Sequence, residues 1–107
     1  MDALLVALSD PHRRTVLDAL RRGPRTAGAL AEQLPIARPG VSRHLRVLRE
    51  AGLVDVEADA QRRVYSLRVQ PLIELEQWLG PYRALWEQRV QDLHTEIARG
   101  RDEREGS

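Results

Sequence analysis

The sequence predicts a mainly α-helical domain carrying one small β-hairpin. Apolar residues recur with a period near 3.6 over most of the 107 residues, and the period changes to 2 only between Val54 and Val69. Asp-Pro and Gly-Pro steps separate the periodic segments. With 42% hydrophobic residues, 4% aromatic and no Phe, the core must be built from Leu, Val and Ala, the vocabulary of packed helices. The length suits one domain, which buries roughly 60 to 65% of its unfolded surface. No Cys is present, which excludes disulfides, thiolate zinc sites and cysteine nucleophiles. The apolar run Met1 to Leu8 is too short to span a membrane and carries Asp2 where a signal peptide would be basic, so a soluble cytoplasmic protein is expected.

Each element has its own signals. Ala3 to Leu8 forms a short apolar helix that needs a partner to cover it. Asp10 as N-cap, Pro11 at the first helical position and Gly23 beyond the last turn bracket a second helix, with Val16, Leu17 and Leu20 at helical spacing. Thr26 caps a third, with Leu30 and Leu34 on its buried face and Pro35 enforcing its end. A fourth runs from Arg38-Pro39 to Ala51, where Gly52 takes the left-handed C-terminal position. Its Val41, Leu45 and Leu48 make one buried stripe at 100° per residue. Val54, Val56 and Ala58 then alternate with acids, and Tyr65, Leu67 and Val69 alternate on the returning strand. A common apolar face requires Val56 opposite Tyr65 and Val54 opposite Leu67, which centres the turn between Ala60 and Gln61. From Pro71, Leu72, Leu75, Leu79, Tyr82, Trp86, Val90, Leu93 and Ile97 follow each other at gaps of three or four, close to a coiled-coil seam. Gly80-Pro81 should kink or split that helix. The expected organisation is a single domain: a dimerisation helix over 2–9, a core over 10–70, a terminal dimerisation helix over 71–98 kinked at 80–81, and a frayed tail over 99–107.

Net charge is only +1, so location matters more than the total. Residues 1–70 hold 12 Arg against 8 acids, a balance of +4, whereas residues 71–107 hold 5 Arg against 8 acids, a balance of −3. All 17 basic residues are Arg, which codon bias explains as well as a preference for forked guanidinium donors does. On the fourth helix, Pro39, Ser42, Arg43 and Arg46 project away from the apolar stripe, with Arg38 and Arg49 on the flank. The helices over Thr26 to Ala51 fit a helix-turn-helix, and the hairpin behind them fits a wing. In such a unit the second helix lies in the DNA major groove. The candidate DNA contacts are therefore Thr26, Arg38, Pro39, Ser42, Arg43, His44, Arg46 and Arg49, with Arg62 and Arg63 on the wing. Thr26 enters because the start of its helix presents free backbone N–H groups.

The segments Leu8-Ser9-Asp10-Pro11-His12-Arg13-Arg14, Arg38 through Val54 and Arg62-Arg63-Val64-Tyr65-Ser66-Leu67 resemble the ArsR-type family of small bacterial winged-helix repressors over nearly the whole chain. The resemblance implies a homodimer assembled from the first and last helices, binding an inverted repeat in double-stranded DNA and usually repressing its own operon. Leu4, Leu5, Leu8, Leu75, Leu79, Tyr82, Trp86, Val90, Leu93 and Ile97 are then the candidate dimer contacts. The ending Trp78-Leu79-Gly80-Pro81-Tyr82 with Trp86-Glu87 resembles a metal-independent branch. The chain departs from the family in three places. Ala37 stands where a Ser or Thr usually caps the recognition helix, forgoing roughly 1 kcal/mol. Asp59-Ala60-Gln61-Arg62 has no Gly at the wing tip. The Cys pairs of the family's metal sensors are missing.

Other chemistry is thinly supported. Asp92, His94 and Glu96 lie two residues apart, hence about 200° apart on a helix, and do not converge on one ion. No metal and no cofactor is expected. Ser9-Asp10-x-His12 reads as a helix cap rather than a triad, and no phosphate loop or carboxylate pair marks an enzyme. For His12, surface exposure is the ordinary reading; for His44, a structural hydrogen bond and a DNA-backbone contact both remain open. Arg13, Arg14, Arg21 and Arg22 read as a solvated face that adds phosphate affinity if it lies near a groove. Trp78, Tyr82 and Trp86 form an aromatic face suited to core or dimer packing. Two rivals stand beside the operator-binding repressor. One is a winged helix used for protein–protein interaction; the other is a repressor that answers a small-molecule effector in a pocket at the dimer interface.

Overall fold

The computed structural model describes residues 1–105, with side chains described through residue 100. The elements in chain order are α1 (Asp2–Leu8), α2 (Pro11–Leu20), β1 (Arg25–Thr26), α3 (Ala27–Glu32), α4 (Arg38–Glu50), β2 (Val54–Asp59), β3 (Arg62–Leu67) and α5 (Gln70–Glu105). They fall into two units, residues 1–75 and the part of α5 from Glu76 onward.

The first unit is shaped by its helix ends. Asp10 accepts hydrogen bonds from the backbone N–H groups of His12 (2.8 Å) and Arg13 (3.2 Å), with Pro11 following as the first helical residue. The Thr26 hydroxyl accepts from the Ala29 N–H at 3.2 Å and starts α3. The helix α4 begins at Ala37 without any side-chain cap, as its sequence requires, and has a Pro in its first turn. Its other end closes in a Schellman motif: Leu53 N–H donates to the Leu48 carbonyl, Gly52 N–H donates to the Arg49 carbonyl, and Gly52 takes φ +75°. The two leucines of that closure are both fully buried. Truncating a leucine so placed costs about 2–5 kcal/mol.

The core sits where α1, α2, α3 and α4 meet the sheet, and is made of Leu4, Ala7, Val16, Leu20, Leu30, Leu34, Val41, Leu45, Leu48, Leu53, Val54 and Tyr65, among others. Leu72 and Leu75, at the start of α5, pack against it. The hairpin register agrees with the alternation: Val56 pairs with Tyr65, Val54 with Leu67, and Asp59 with Arg62 around a two-residue turn. The sheet has three strands in the order β1-β3-β2, one more than the hairpin expected. Arg25 pairs with Tyr65 and Thr26 with Val64. Two residues are too few to show a period, so this strand left no mark in the sequence pattern.

Of the kink or split expected at Gly80-Pro81, the split does not occur, because α5 continues through Pro81 to Glu105. The carbonyl of Gln77, four residues back, loses its helical partner, but Gln77 is exposed and water can take its place. Helical structure thus extends past residue 98 into the segment expected to fray, and residues 106–107 lie outside the described residues. Leu4 is buried in the protomer's own core, so it has no surface to offer a second copy, while Leu5 beside it is exposed.

In the second unit α5 exposes Trp78, Tyr82, Leu85, Trp86, Val90, Leu93 and Ile97 along its length. The Trp78 and Tyr82 rings pack with centroids 5.0 Å apart, and Arg83 reaches Glu76 at 3.3 Å. Among the described residues no helix is long and apolar enough to cross a membrane.

At the hairpin turn Ala60 adopts φ +57°, the left-handed region in which a Cβ crowds the backbone. Ala60→Gly should therefore raise stability by up to about 1 kcal/mol, the relief being partly offset by a freer unfolded chain. A shift of the urea midpoint to higher concentration at unchanged slope is the expected result.

Candidate nucleic-acid interface

The helix α4 divides its circumference between core and solvent. Val41, Leu45 and Leu48 are buried, whereas Arg38, Pro39, Ser42, Arg43, Arg46 and Arg49 are all exposed. At 100° per residue these six occupy an arc of about 140° with Arg46 near its middle. Among the described residues, none of the four α4 arginines is engaged in a salt bridge. Four guanidinium groups on one helix, without acidic partners, form a surface prepared for a polyanion.

The wing continues that surface. Along β3 alternate residues share a face, so Arg63 lies on the side of the buried Tyr65. An open groove of about 460 Å³ is lined by Ser42, Arg46 and Arg49 from α4 and by Arg63 and Tyr65 from β3. Arg62 behaves differently, because its guanidinium donates to Asp59 at 2.8 Å across the turn. Both partners are more than 60% exposed, so the pair is weak and can open to a phosphate. Thr26 lies beside the wing tip with its hydroxyl already engaged as a cap.

Behind the basic arc lies a polar cluster that joins three helices. The Arg13 guanidinium donates to the backbone carbonyls of Ala7 and Val6, both at 2.8 Å, in the last turn of α1. Its remaining nitrogen lies 3.2 Å from His44 Nδ1 on α4. Arg14 donates to the Leu8 carbonyl at 2.7 Å. His44 Nε2 lies 3.9 Å from Asp10, and the His12 and His44 ring centroids are 5.7 Å apart. His44 is thus directed at its own protein, and Arg13 and Arg14 staple the end of α1 rather than forming a free cationic face. No periodicity signals contacts from a guanidinium to carbonyls six or seven residues earlier, which is why the sequence left Arg13 among solvated residues.

Burial is the main reason the His44 imidazole titrates below 6.5; Asp10 opposes the shift, and the charges of Arg13, His12 and Arg43 reinforce it. The folded state therefore resists protonation of His44. Its contribution to stability is complete above pH 6.5 and is lost as pH falls from there through the folded-state value. For Asp10, burial raises the pKa, but the backbone N–H bonds of Arg13 and His12 and the nearby charges of His44 and Arg13 outweigh it, so the carboxyl titrates below 3.8. Its contribution holds above 3.8 and fades only as pH drops through the lower folded-state value. Among the described residues no three His, Cys, Asp or Glu side chains gather as a metal site would need, and Asp92, His94 and Glu96 are all exposed on α5.

The same fold and sequence pattern recur in known proteins. Residues 8–57 match a family described as a helix-turn-helix domain. The transcriptional repressor SdpR of Bacillus subtilis (strain 168) is 37% identical over 79 residues, covering 74% of this chain and 88% of that protein. The HTH-type transcriptional regulator Rv2034 of Mycobacterium tuberculosis (strain ATCC 25618 / H37Rv) is 48% identical over 61 residues, 57% of each chain. Among solved structures, the ArsR family transcriptional regulator RHA00566 superposes with a TM-score of 0.74 at 32% identity, over 80% of this chain and 94% of that one.

Asp10 both caps α2 and faces the His44 ring, so Asp10→Ala should destabilise the fold by about 1 kcal/mol through the lost cap. Chemical denaturation at pH 7.5 measures the loss, and an unchanged midpoint would show that water replaces the cap at no cost.

Proposed function

Since the chain belongs to the ArsR-type family of winged helix-turn-helix, DNA-binding transcriptional regulators, we propose that α4 reads the major groove of an operator and that two copies bind an inverted repeat to repress their own transcription. The observation that carries this reading is the arc of four arginines on α4 without acidic partners, continued by Arg63 across the groove to the wing. Arg43 and Arg46, one turn apart on the exposed face of α4, are assigned to base edges, where an Arg fork on guanine O6 and N7 distinguishes sequence. Arg38 and Arg49, near the two ends of α4, and Arg63 on the wing are assigned to phosphates, which add affinity and register. Pro39 and Ser42 fill the space between them. Arg62 joins the wing contacts once Asp59 releases it, and Thr26 lies close enough to the wing tip to meet the same strand. The function proposed is binding and not catalysis, and it places the protein in the cytoplasm with the DNA.

Dimerisation is proposed through the exposed apolar residues Tyr82, Trp86, Val90, Leu93 and Ile97 of α5 and the half-buried Leu79, together with Leu5 of α1. Support comes from the length of the unpartnered apolar stripe, far more than a monomeric helix leaves to water. Leu8 and Leu75, packed against the protomer's own core, support those elements from beneath.

Arg43→Ala and Arg46→Ala should each weaken operator binding by about 1–3 kcal/mol and relax sequence preference at one position, read by fluorescence anisotropy on specific and scrambled duplexes. Wild-type affinity in both variants would sink the assignment of α4 to the groove. Light scattering at micromolar concentration should report twice the chain mass, with an interface of at least about 1,000 Å². A monomer would overturn the two-copy operator complex.

A further inference from the structure

Arg13 has two sets of partners that belong to different functional parts. Two of its nitrogens hold the last carbonyls of α1, the helix assigned here to the dimer, and the third meets His44 on α4, the helix assigned to the groove. His44 lies about 160° around α4 from Arg46, so it belongs to the inward face of the same helix whose outward face is basic. We infer that Arg13 is the positioning residue that sets α4 in register with α1, and that protonation of His44 releases this link and lowers the protein's discrimination between operator and other DNA.

The chemistry follows from donor counting. A guanidinium only donates, so His44 Nδ1 must be the acceptor and the imidazole must be neutral with its proton on Nε2. That proton is directed to the side of Asp10, 3.9 Å away, too far for a hydrogen bond but near enough for charge to be felt. Adding a proton to Nδ1 sets donor against donor at 3.2 Å and places a second cation beside Arg13. The groups around the ring are the cations Arg13 on α2 and Arg43 on α4, the second imidazole His12, and one carboxylate, Asp10. Burial and the cations together outweigh the carboxylate in disfavouring that proton, and the donor facing Nδ1 at 3.2 Å means that its arrival opens the contact. Arg13 then keeps its α1 carbonyls and loses α4. Extra charge near DNA strengthens binding to any sequence, whereas loss of register weakens only the complex that needs α4 accurately placed.

The inference rests on α4 being the groove-reading helix, and its test separates the two ideas. In the full-length protein, nitrogen-detected NMR at pH 8 should find the His44 ring protonated on Nε2 with Nδ1 bare, and Arg13→Gln should raise the His44 pKa by removing the adjacent cation. A ring protonated on Nδ1, or a pKa unmoved by Arg13→Gln, overturns the link whatever α4 does on DNA. For the functional half, a duplex enriched by the wild-type protein from a random pool at pH 8 is compared with its scrambled counterpart from pH 8 to 5.5. The ratio of the two affinities should fall about fivefold, the lower end of ordinary coupling between sites. His44→Gln should flatten that profile and His12→Gln should retain it. A ratio constant with pH in the wild type, or an equal fall in His44→Gln, overturns the proposal. Failure of the groove assignment would appear separately, as an Arg46→Ala variant with full operator affinity, and would overturn the DNA half while the ring spectra decide the link. If His44→Gln fails to fold, the wild-type profile and the Arg13→Gln spectra still decide between the outcomes.

Discussion

The helix α4 must be half of the core and half of the binding surface at once, and the other elements are arranged around that constraint. Its Val41, Leu45 and Leu48 cannot leave water without partners, so α1, α2, α3 and the sheet close over them. Because those side chains hold the helix by one face, the opposite face is held too. The arginines on it inherit a fixed direction at no extra cost, since the energy that orients them is the hydrophobic burial of their neighbours. A loop carrying the same four arginines would have to order itself on DNA at the expense of affinity.

The ends of α4 matter as much as its faces. At the C-terminal end, Gly52 turns the chain so that Leu53 meets Leu48 in the centre of the core, and β2 starts in register two residues later. The position of the wing is thereby tied to the end of the helix that it flanks, which is how Arg63 comes to share a groove with Arg46 and Arg49. The N-terminal end is made without a side-chain cap. Ala37 offers none, and the helix begins on the fixed φ of Pro39 and on the packing of Ile36 against Gly40. This is the end that a helix-turn-helix points at base edges.

The polar cluster of Asp10, His12, Arg13 and His44 connects these features to α1. Asp10 starts α2, while the Arg13 bonds join separate elements, ending α1 on one side and meeting His44 on the helix that carries the basic arc on the other. Such shared partners make the positions of α1 and α4 depend on one another. A change at either is felt at the other through the guanidinium as well as through the apolar core they share.

By itself the sequence determined the elements whose cause is local or periodic. Caps at Asp10 and Thr26, the turn at Gly52, the stripe of α4 and the register Val56 to Tyr65 all follow from residues within a few positions of one another, and the basic arc is legible because a helical wheel needs no tertiary information. Features that depend on contacts between separate elements came from the folded chain alone. The strand Arg25–Thr26 exists because β3 presents a free edge; Leu4 is core because α2 and α4 cover it; Arg13 is a brace because α1 ends beside it. Pro81 remains inside a helix because Gln77 meets water there, so the missing hydrogen bond costs too little to break α5. The common reason is that a one-dimensional pattern records which face of an element is apolar, while the partner of a polar group is set by the three-dimensional path of the chain.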